Sequence, residues 1–353
     1  MALTSKYEGG KAVITEILSA DNLSRGIDAL KNGEVVAFPT ETVYGLGADA
    51  TNSEACKKIF EAKGRPADNP LIVHVLDIKE LENVLTGQMP KSAQRLVEKF
   101  WPGPLTVIVP SNDTIPLLVR GFMPTVAVRS PSHPIARELI QAVGRPLAAP
   151  SANRSGRPSP TRAADVWQDL RGRIPYIIDG GNSPVGLEST IVDCSVDPPL
   201  LLRPGFIGLQ TLESVLGGRV LRPGADAPHK APGMKYRHYA PRAPVIWINM
   251  KEDYHIEQAL LQLKEEFPGM ALMASRQWQR CVAGPFLQVE DTAQDIAHNL
   301  FSGFRELDQA KPDAIVVVWE ENDQGVGLAV ANRLEKACTK QLTWEGCVRQ
   351  VTD

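Results

Sequence analysis

The segment KGRPADNPLIVH, from Lys63 to His74, marks the place where a helix ends and a strand begins. Before it, residues 53–62 place their apolar side chains on one stripe of a helix, and the Gly-Arg-Pro that follows Lys63 is a stop signal. After it, residues 71–76 are predicted to form a buried strand. Lys63 either complements the dipole at the helix end or belongs to a site that distant parts of the chain complete.

Around this segment, short apolar runs alternate with amphipathic stretches, which predicts an α/β domain. The predicted strands are residues 35–40, 105–109, 126–128, 147–149, 176–178, 190–192 and 200–202. The predicted helices are residues 23–32, 91–101, 133–143 and 162–171. The last three strands are too closely spaced for helical crossovers, so we expect a twisted sheet that mixes parallel and antiparallel pairs.

Several predicted strands are flanked by small polar or cationic clusters. These clusters are Pro39–Thr42, Arg129–Pro131, Pro150–Asn153, Glu188–Thr190 and Arg203–Gly205. Loops beyond strand ends gather polar groups from distant parts of an α/β sheet, so the clusters predict a ligand site. Each cluster taken alone is also what an ordinary turn requires. The cations among them favour an anionic ligand shared by several loops.

The chain has neither of the standard glycine-rich phosphate cradles, GxxxxGK[ST] or GxGxxG. A bound nucleotide would therefore depend on side chains for its phosphates. Lys63, Arg65, Arg129 and Arg203 offer cations, and neutral hydrogen bonds come from Ser151, Asn153 and Ser159. No nucleophile stands next to an evident base. Such a set suits charge stabilisation at a phosphorus centre rather than covalent catalysis.

The C-terminal part of the chain is predicted as a second, smaller unit. Residues 209–243 begin with a short predicted helix at 211–216 and are otherwise rich in Pro and Gly. They also contain GMKYRHYAP, which either folds over the site or forms a surface loop. Beyond them, strands are predicted at residues 245–248, 270–274 and 314–319, and helices at 254–266, 292–309 and 327–338. This alternation predicts a small parallel sheet.

Composition bounds the class of protein. A chain of 353 residues is long for a single core, and it contains no apolar run of about 18 residues that would span a membrane. Five scattered cysteines without a CxxC pair indicate reduced thiols in a cytoplasmic protein. Residues 1–208 are neutral, 209–243 carry a net charge of +4 and 244–353 carry −7. The acidic third segment argues against nucleic-acid binding there.

Eight motifs together resemble the Sua5/YrdC family, in its long, Sua5-type form. They are FPTETVYGLG (38–47), KGRPADNPLIVH (63–74), WPGPLT (101–106), VAVRSPSHP (126–134), APSANRSG (149–156), GLESTIVD (186–193), RPG (203–205) and APGMKYRHYAP (231–241). The resemblance covers essentially the whole chain. It implies a twisted mixed-sheet YrdC-like catalytic domain at 1–208, a linker at 209–243 that folds over the active site, and a Rossmann-like parallel Sua5-type domain at 244–353.

The resemblance also implies a nucleotidyltransferase that makes L-threonylcarbamoyladenylate. L-threonine, bicarbonate and ATP with Mg²⁺ would give this product and pyrophosphate. The product would serve N6-threonylcarbamoyladenosine formation in tRNAs that read ANN codons, through a separate tRNA threonylcarbamoyl transferase. Weak or no direct nucleic-acid binding, no membrane and a cytoplasmic location are expected. The alternatives are an RNA-binding module of the same fold and a carbamoyl-adenylating enzyme of the hydrogenase-maturation type.

Site residues follow from the resemblance position by position. The threonine side would comprise Thr40, His74, Arg129 and Ser189, with Arg129 on the carboxylate. The ATP side would comprise Lys63, Arg65, Thr125, Ser151, Asn153, Ser159, Arg203, Tyr236 and His238, with Lys63 and Arg65 as catalytic cations. Members of the two sets can be exchanged, because one cleft holds both substrates. His74 is either a ligand or a satisfied strand histidine, and Glu41, Asp179 and Glu188 are candidate ligands for Mg²⁺.

Overall fold

The structure, a computed structural model, describes residues 13–224, 238–322, 325–343 and 348–350. The described chain divides into two compact units. The first holds residues 13–155 and 159–224, and the second holds the remainder together with the loop 156–158. No helix in the described ranges is long and apolar enough to cross a membrane. The predicted boundaries at 208 and 243 stay predictions, and residues 225–237 of the predicted linker lie outside the described residues.

A ten-stranded mixed sheet forms the centre of the first unit, as the sequence predicts. Its strands are β1 Glu16–Ser19, β2 Val36–Phe38, β3 Gly45–Asp49, β4 Ile72–His74, β5 Leu105–Pro110, β6 Thr125–Arg129, β7 Leu147–Ala148, β8 Tyr176–Asp179, β9 Thr190–Asp193 and β10 Leu200–Arg203. Their order across the sheet is β1-β8-β2-β3-β7-β4-β6-β5-β9-β10. Strand β4 runs parallel to β6, β5 runs antiparallel to β6, and β9 runs antiparallel to β10. This order brings the ends of β4, β6, β5 and β9 together.

Within residues 13–224, seven helices accompany this sheet. They are α1 Ser24–Lys31, α2 Ser53–Lys63, α3 Ile78–Val84, α4 Lys91–Phe100, α5 Pro134–Val143, α6 Ala163–Leu170 and α7 Leu209–Leu216. The sequence patterns miss α3 and strands β1 and β3. Strand β3 reads GLGAD, and its glycines hide the strand because glycine has a low strand propensity. Gly47 is required there, because a Cβ would lie 2.5 Å from the ring of Phe38.

Helix α2 ends at the residue on which the site depends. The side chain of Asn52 caps its start by accepting the backbone N–H groups of Glu54 and Ala55. Gly64 stops it in the left-handed conformation, at φ 62°, where glycine avoids the strain that other residues incur. Lys63 is therefore the last helical residue, held at a fixed point next to the sheet.

The second unit contains a smaller sheet in the order β13-β12-β14-β11-β15-β16. Its strands are β11 Val245–Asn249, β12 Ala271–Ala274, β13 Phe286–Gln288, β14 Ile315–Val318, β15 Lys340–Thr343 and β16 Val348–Gln350, and its helices are α8 Asp253–Glu266, α9 Ala293–Gln309 and α10 Gly327–Ala337. The first five strands are parallel, and β16 runs antiparallel to β15. The predicted Rossmann-like parallel architecture is confirmed, although the patterns miss β13, β15 and β16.

Candidate active site

Lys63 is almost fully buried, with 2% of its surface exposed. Its Nζ donates to the backbone carbonyl of Asn153 at 2.6 Å and to that of Ser151. These acceptors lie in the loop after β7, far away in the chain. A counter-charge for the helix dipole would need no such burial, so the dipole alone does not account for this residue. The structure thus joins Lys63 to two residues of the predicted ATP side.

Arg65 is half-buried and holds its own turn. Its guanidinium donates to Oδ1 of Asn69 at 2.6 Å and to the carbonyl of Pro70 at 2.8 Å. These contacts hold together the turn that connects α2 to β4. The expected role of Arg65 at the phosphates stays a prediction.

Arg129 ends strand β6 inside the sheet, with 4% of its surface exposed. Its Nη1 donates to Oγ1 of Thr42 at 2.8 Å, and its Nε donates to the carbonyl of Gly103 at 3.3 Å. Its Nη2 lies 2.7 Å from Oε1 of Glu41, and both side chains of this ion pair are buried. Two polar loops therefore converge on one guanidinium, as expected for a site beyond strand ends.

The carboxyl of Glu41 is ionised in this surrounding. Burial raises its pKa, but the charge of Arg129 and its contact with the carboxylate outweigh burial, so the net pKa lies below the usual value. The pair is net neutral, which limits the cost of placing two charges inside the protein.

His74 ends strand β4 and pairs in register with Arg129. It is buried, and its Nδ1 lies 3.1 Å from the carbonyl of Ile72. Burial, reinforced by the charge of Arg129, lowers its pKa to about 3, so the imidazole is neutral at physiological pH. This environment fits a satisfied strand histidine, and a contact with threonine stays a prediction.

Ser189 connects the two predicted substrate sides. Arg203 donates through Nε to the carbonyl of Ser189 at 3.0 Å and through Nη2 to its Oγ at 3.0 Å. The same Oγ lies 2.7 Å from Oγ1 of Thr106, which is the register partner of Arg129 on β5. A buried polar path thus runs from Arg203 to the strand beside Arg129.

Other predicted residues are placed as follows. Thr40 Oγ1 lies 2.9 Å from Oγ1 of Thr42, so it joins the Arg129 group. Ser159 donates to the buried carboxylate of Glu188 at 2.5 Å. Thr125 begins β6, at the end of that strand opposite to Arg129, and the structure does not bring the two together.

The predicted lid residues are described only in part. Tyr236 lies outside the described residues, and His238 lies in the second unit, where its ring is 5.6 Å from that of Tyr239. Their predicted role over the nucleotide stays a prediction.

Comparison with known proteins places these residues in a family. The family model described as "Telomere recombination" (Sua5_yciO_yrdC) matches residues 28–205, and the model described as "Threonylcarbamoyl-AMP synthase, C-terminal domain" matches residues 207–339. The chain belongs to the Sua5 family. The threonylcarbamoyl-AMP synthase of Pyrococcus abyssi is 46% identical to this chain, in an alignment that covers 87% of this chain and 91% of that protein. The threonylcarbamoyl-AMP synthase of Bacillus subtilis is 43% identical, in an alignment that covers 92% of this chain and 95% of that protein.

A solved Sua5 structure supports the same assignment. The crystal structure of P. abyssi Sua5 complexed with L-threonine superposes with a TM-score of 0.84, at 43% identity, over 92% of this chain and 96% of that one. The family predicted from the eight motifs is therefore confirmed, and so is the two-part fold.

Three residues around Arg129 and Ser189, namely Glu41, Thr42 and Thr106, belong to neither the threonine set nor the ATP set that the family resemblance implies. The sequence indicates Glu41 only as a candidate ligand for Mg²⁺. Thr42 belongs to the predicted polar cluster Pro39–Thr42, but no specific role is predicted for it or for Thr106. Thr106 interrupts the apolar run of β5, and a single polar residue in a buried strand is the signal that could have identified it.

The three candidate ligands for Mg²⁺ fit a protein-held ion poorly. Glu41 is paired with Arg129, Glu188 accepts a hydrogen bond from Ser159, and Asp179 is exposed. Among the described residues, no group of three His, Cys, Asp or Glu side chains could hold a metal ion. Mg²⁺ that enters with ATP is part of that substrate.

Proposed function

We propose that this chain synthesises L-threonylcarbamoyladenylate, with release of pyrophosphate, from L-threonine, bicarbonate and ATP carrying Mg²⁺. The observation that carries the proposal is the buried polar path from Arg203 through Ser189 to Thr106, beside Arg129. It links a cation suited to phosphate with a cation suited to a carboxylate, as a reaction that joins these two substrates requires.

The chemistry follows from the charges that develop. The amino group of threonine takes up the carbon of bicarbonate, with loss of water, and forms a carbamate. A carbamate oxygen attacks the α-phosphorus of ATP, and the bond to the pyrophosphate oxygen breaks. Negative charge then grows on pyrophosphate, where Lys63, Arg65 and Arg203 are proposed to stabilise it. Each such cation contributes on the order of 2–4 kcal/mol, judged from single-donor removals in other enzymes.

The geometry supports these roles in two ways. Lys63 is fixed between the helix end and the loop that carries Ser151 and Asn153, which gives an ammonium group at a constant position. Arg129 keeps the planar fork that recognises carboxylates, while His74 beside it stays neutral. A protonated His74 would add repulsion next to the guanidinium of Arg129.

The product is proposed to pass to a tRNA threonylcarbamoyl transferase, which would complete N6-threonylcarbamoyladenosine in tRNA. A cytoplasmic location suits this partner. It also suits Cys56, Cys194, Cys281 and Cys338, which are all buried as free thiols.

Pyrophosphate release tests the proposal directly. The purified chain should release pyrophosphate from ATP only when L-threonine and bicarbonate are both present, and the adenylate should be detectable by mass spectrometry. Omitting either co-substrate is the matched control. Pyrophosphate release that is independent of threonine would contradict the proposed function.

A further inference from the structure

Glu41 is a buried carboxylate with unused hydrogen-bonding capacity. It is 7% exposed, and within the described residues neither of its oxygens accepts a hydrogen bond of ordinary geometry. The backbone N–H groups of Glu41 itself and of Ser132 lie nearby but do not meet that geometry. Buried polar atoms normally have partners, because an unsatisfied one loses its hydration without compensation. This carboxylate therefore needs an explanation that lies outside the described contacts.

The ion pair with Arg129 uses only part of the hydrogen-bonding capacity of the Glu41 carboxylate. One oxygen, Oε1, lies 2.7 Å from Nη2, whereas a carboxylate can accept about four hydrogen bonds. Arg129 also retains capacity: its five donors face three described partners, which are Gly103, Thr42 and Glu41. The carboxylate of Glu41 can therefore accept a further hydrogen bond, and the guanidinium of Arg129 can donate a further one.

An α-amino acid has the complementary pattern of charges. Its ammonium and carboxylate groups sit on one carbon, so they can face two opposite charges that are themselves adjacent. Glu41 and Arg129 provide such adjacent charges at 2.7 Å. A zwitterion is net neutral, and so is the pair, which means that binding leaves no uncompensated charge in the interior.

We propose that Glu41 binds the ammonium group of the substrate amino acid while Arg129 binds its carboxylate. This inference rests on the proposed function, and it gives Glu41 a role in place of the metal-ligand role considered from the sequence. Because the pKa of Glu41 is lowered, the carboxylate stays ionised at neutral pH. It holds the ammonium but is a weak base toward it, so the proton that leaves before carbamate formation goes to another acceptor.

A competing role is that Glu41 only positions Arg129. The two roles differ in which ligands they affect. Positioning acts on every ligand that has a carboxylate, whereas ammonium binding acts only on ligands that have an amino group. D-β-hydroxybutyrate keeps the carboxylate and the β-hydroxyl of L-threonine but lacks the amino group, so it separates the two roles.

The experiment is calorimetric titration of the full chain and of Glu41→Gln with L-threonine and with D-β-hydroxybutyrate. We expect Glu41→Gln to weaken L-threonine binding by about 10-fold to 100-fold, the range for one hydrogen bond to a charged group. Binding of D-β-hydroxybutyrate should stay unchanged or become tighter, because a carboxylate that repels it is gone. Equal weakening of both ligands, or no change for threonine, would overturn the inference.

Controls separate this outcome from other failures. Glu34→Gln removes a partly exposed carboxylate that pairs with Lys58 and should leave both affinities unchanged. If Glu41→Gln does not fold, Glu41→Asp keeps the charge and should retain a preference for threonine over the desamino ligand; loss of that preference would overturn the inference. A wild-type chain that does not bind L-threonine would overturn the proposed substrate itself, which is distinguishable from a failure of Glu41 alone.

Discussion

Each unit gathers polar side chains beyond the ends of its strands, but the two crevices have opposite charge and opposite burial. In the first unit, Lys63, Arg129 and Arg203 are 2%, 4% and 5% exposed. In the second, a cavity of about 310 Å³ lies beyond the carboxyl ends of β11, β12 and β14. Its charged lining is mostly acidic and exposed, with Asp253, Asp291, Glu320 and Glu321 against one exposed cation, Lys251.

The contrast separates a crevice of buried charge from one of solvated charge. Buried cations carry a desolvation cost of several kcal/mol each unless acceptors or counter-ions surround them. The first unit supplies these acceptors through the carbonyls of Ser151, Asn153 and Ser189 and the carboxylate of Glu41. Exposed carboxylates cost little, and they repel phosphates. ATP is therefore expected in the first unit rather than in the second, although strand-end crevices are the usual nucleotide sites in parallel sheets.

Lys63→Ala should have the largest effect, because it removes the most deeply buried cation of the first crevice. Threonine-dependent pyrophosphate release should fall by about 100-fold to 1,000-fold, as when one preorganised donor is lost. Circular dichroism should show that the fold is retained.

Lys58→Ala is the matched control for that variant. Lys58 lies on the same helix, but it is partly exposed and pairs with Glu34, which is also partly exposed. Its removal should change the rate less than twofold, because exposed ion pairs contribute little. A Lys63→Ala protein that is less stable yet fully active would return Lys63 to the role of a dipole counter-charge.

Arg203→Lys should have the next largest effect, because it keeps the charge and removes the fork. The two bonds from Nε and Nη2 to Ser189 cannot both be made by one ammonium group. We expect kcat/KM to fall by about 10-fold, close to the loss of one hydrogen bond to a charged group. Arg219→Lys, an exposed change in the same unit, should leave kcat/KM unchanged. Equal effects of the two substitutions would show that the fork at Ser189 is dispensable.

The sequence predicts the strands and helices well where a pattern extends over several residues. It fails for β3, because two glycines hide a strand whose burial only the folded sheet shows. At the site, the cations could be listed from strand-end clusters and the family resemblance. The pairing of Arg129 with Glu41 could not be predicted, because it depends on how the loop after β2 contacts the end of β6. The polarity of Thr106 in a buried strand is visible in the sequence, but its contact with Ser189 is not, since Ser189 is distant in the chain.

His74 provides a test of the first crevice through stability rather than rate. The pKa of its imidazole is about 3 in the folded protein and near 6.5 in the unfolded chain. The neutral imidazole therefore contributes fully to the free energy of unfolding above pH 6.5, and this contribution is lost as the pH falls toward 3. Between about pH 7 and about pH 5 the wild type should lose about 2 kcal/mol more unfolding free energy than His74→Gln. Urea unfolding at the two pH values measures this.

Between about pH 5 and about pH 7, the difference in unfolding free energy between the two proteins reports on His74 rather than on its titratable neighbours. Glu41 has a lowered pKa, so its contribution is lost only at more acidic pH. His133 also has a pKa lowered by burial, but it is present in both proteins and cancels in the difference. Parallel pH curves for the wild type and His74→Gln would mean that the imidazole is solvated in the folded protein.

Glu320→Gln should have the smallest effect, and it tests the second crevice. Glu320 is exposed at the carboxyl end of β14, so neutralising it removes repulsion without exposing any apolar surface. If ATP binds only in the first unit, KM for ATP should change less than twofold, since an exposed charge acts weakly across screened solvent. Under the same assay Arg203→Lys should still lower kcat/KM. A Glu320→Gln protein whose KM for ATP falls severalfold would place the nucleotide against the acidic crevice and reverse the comparison between the two units.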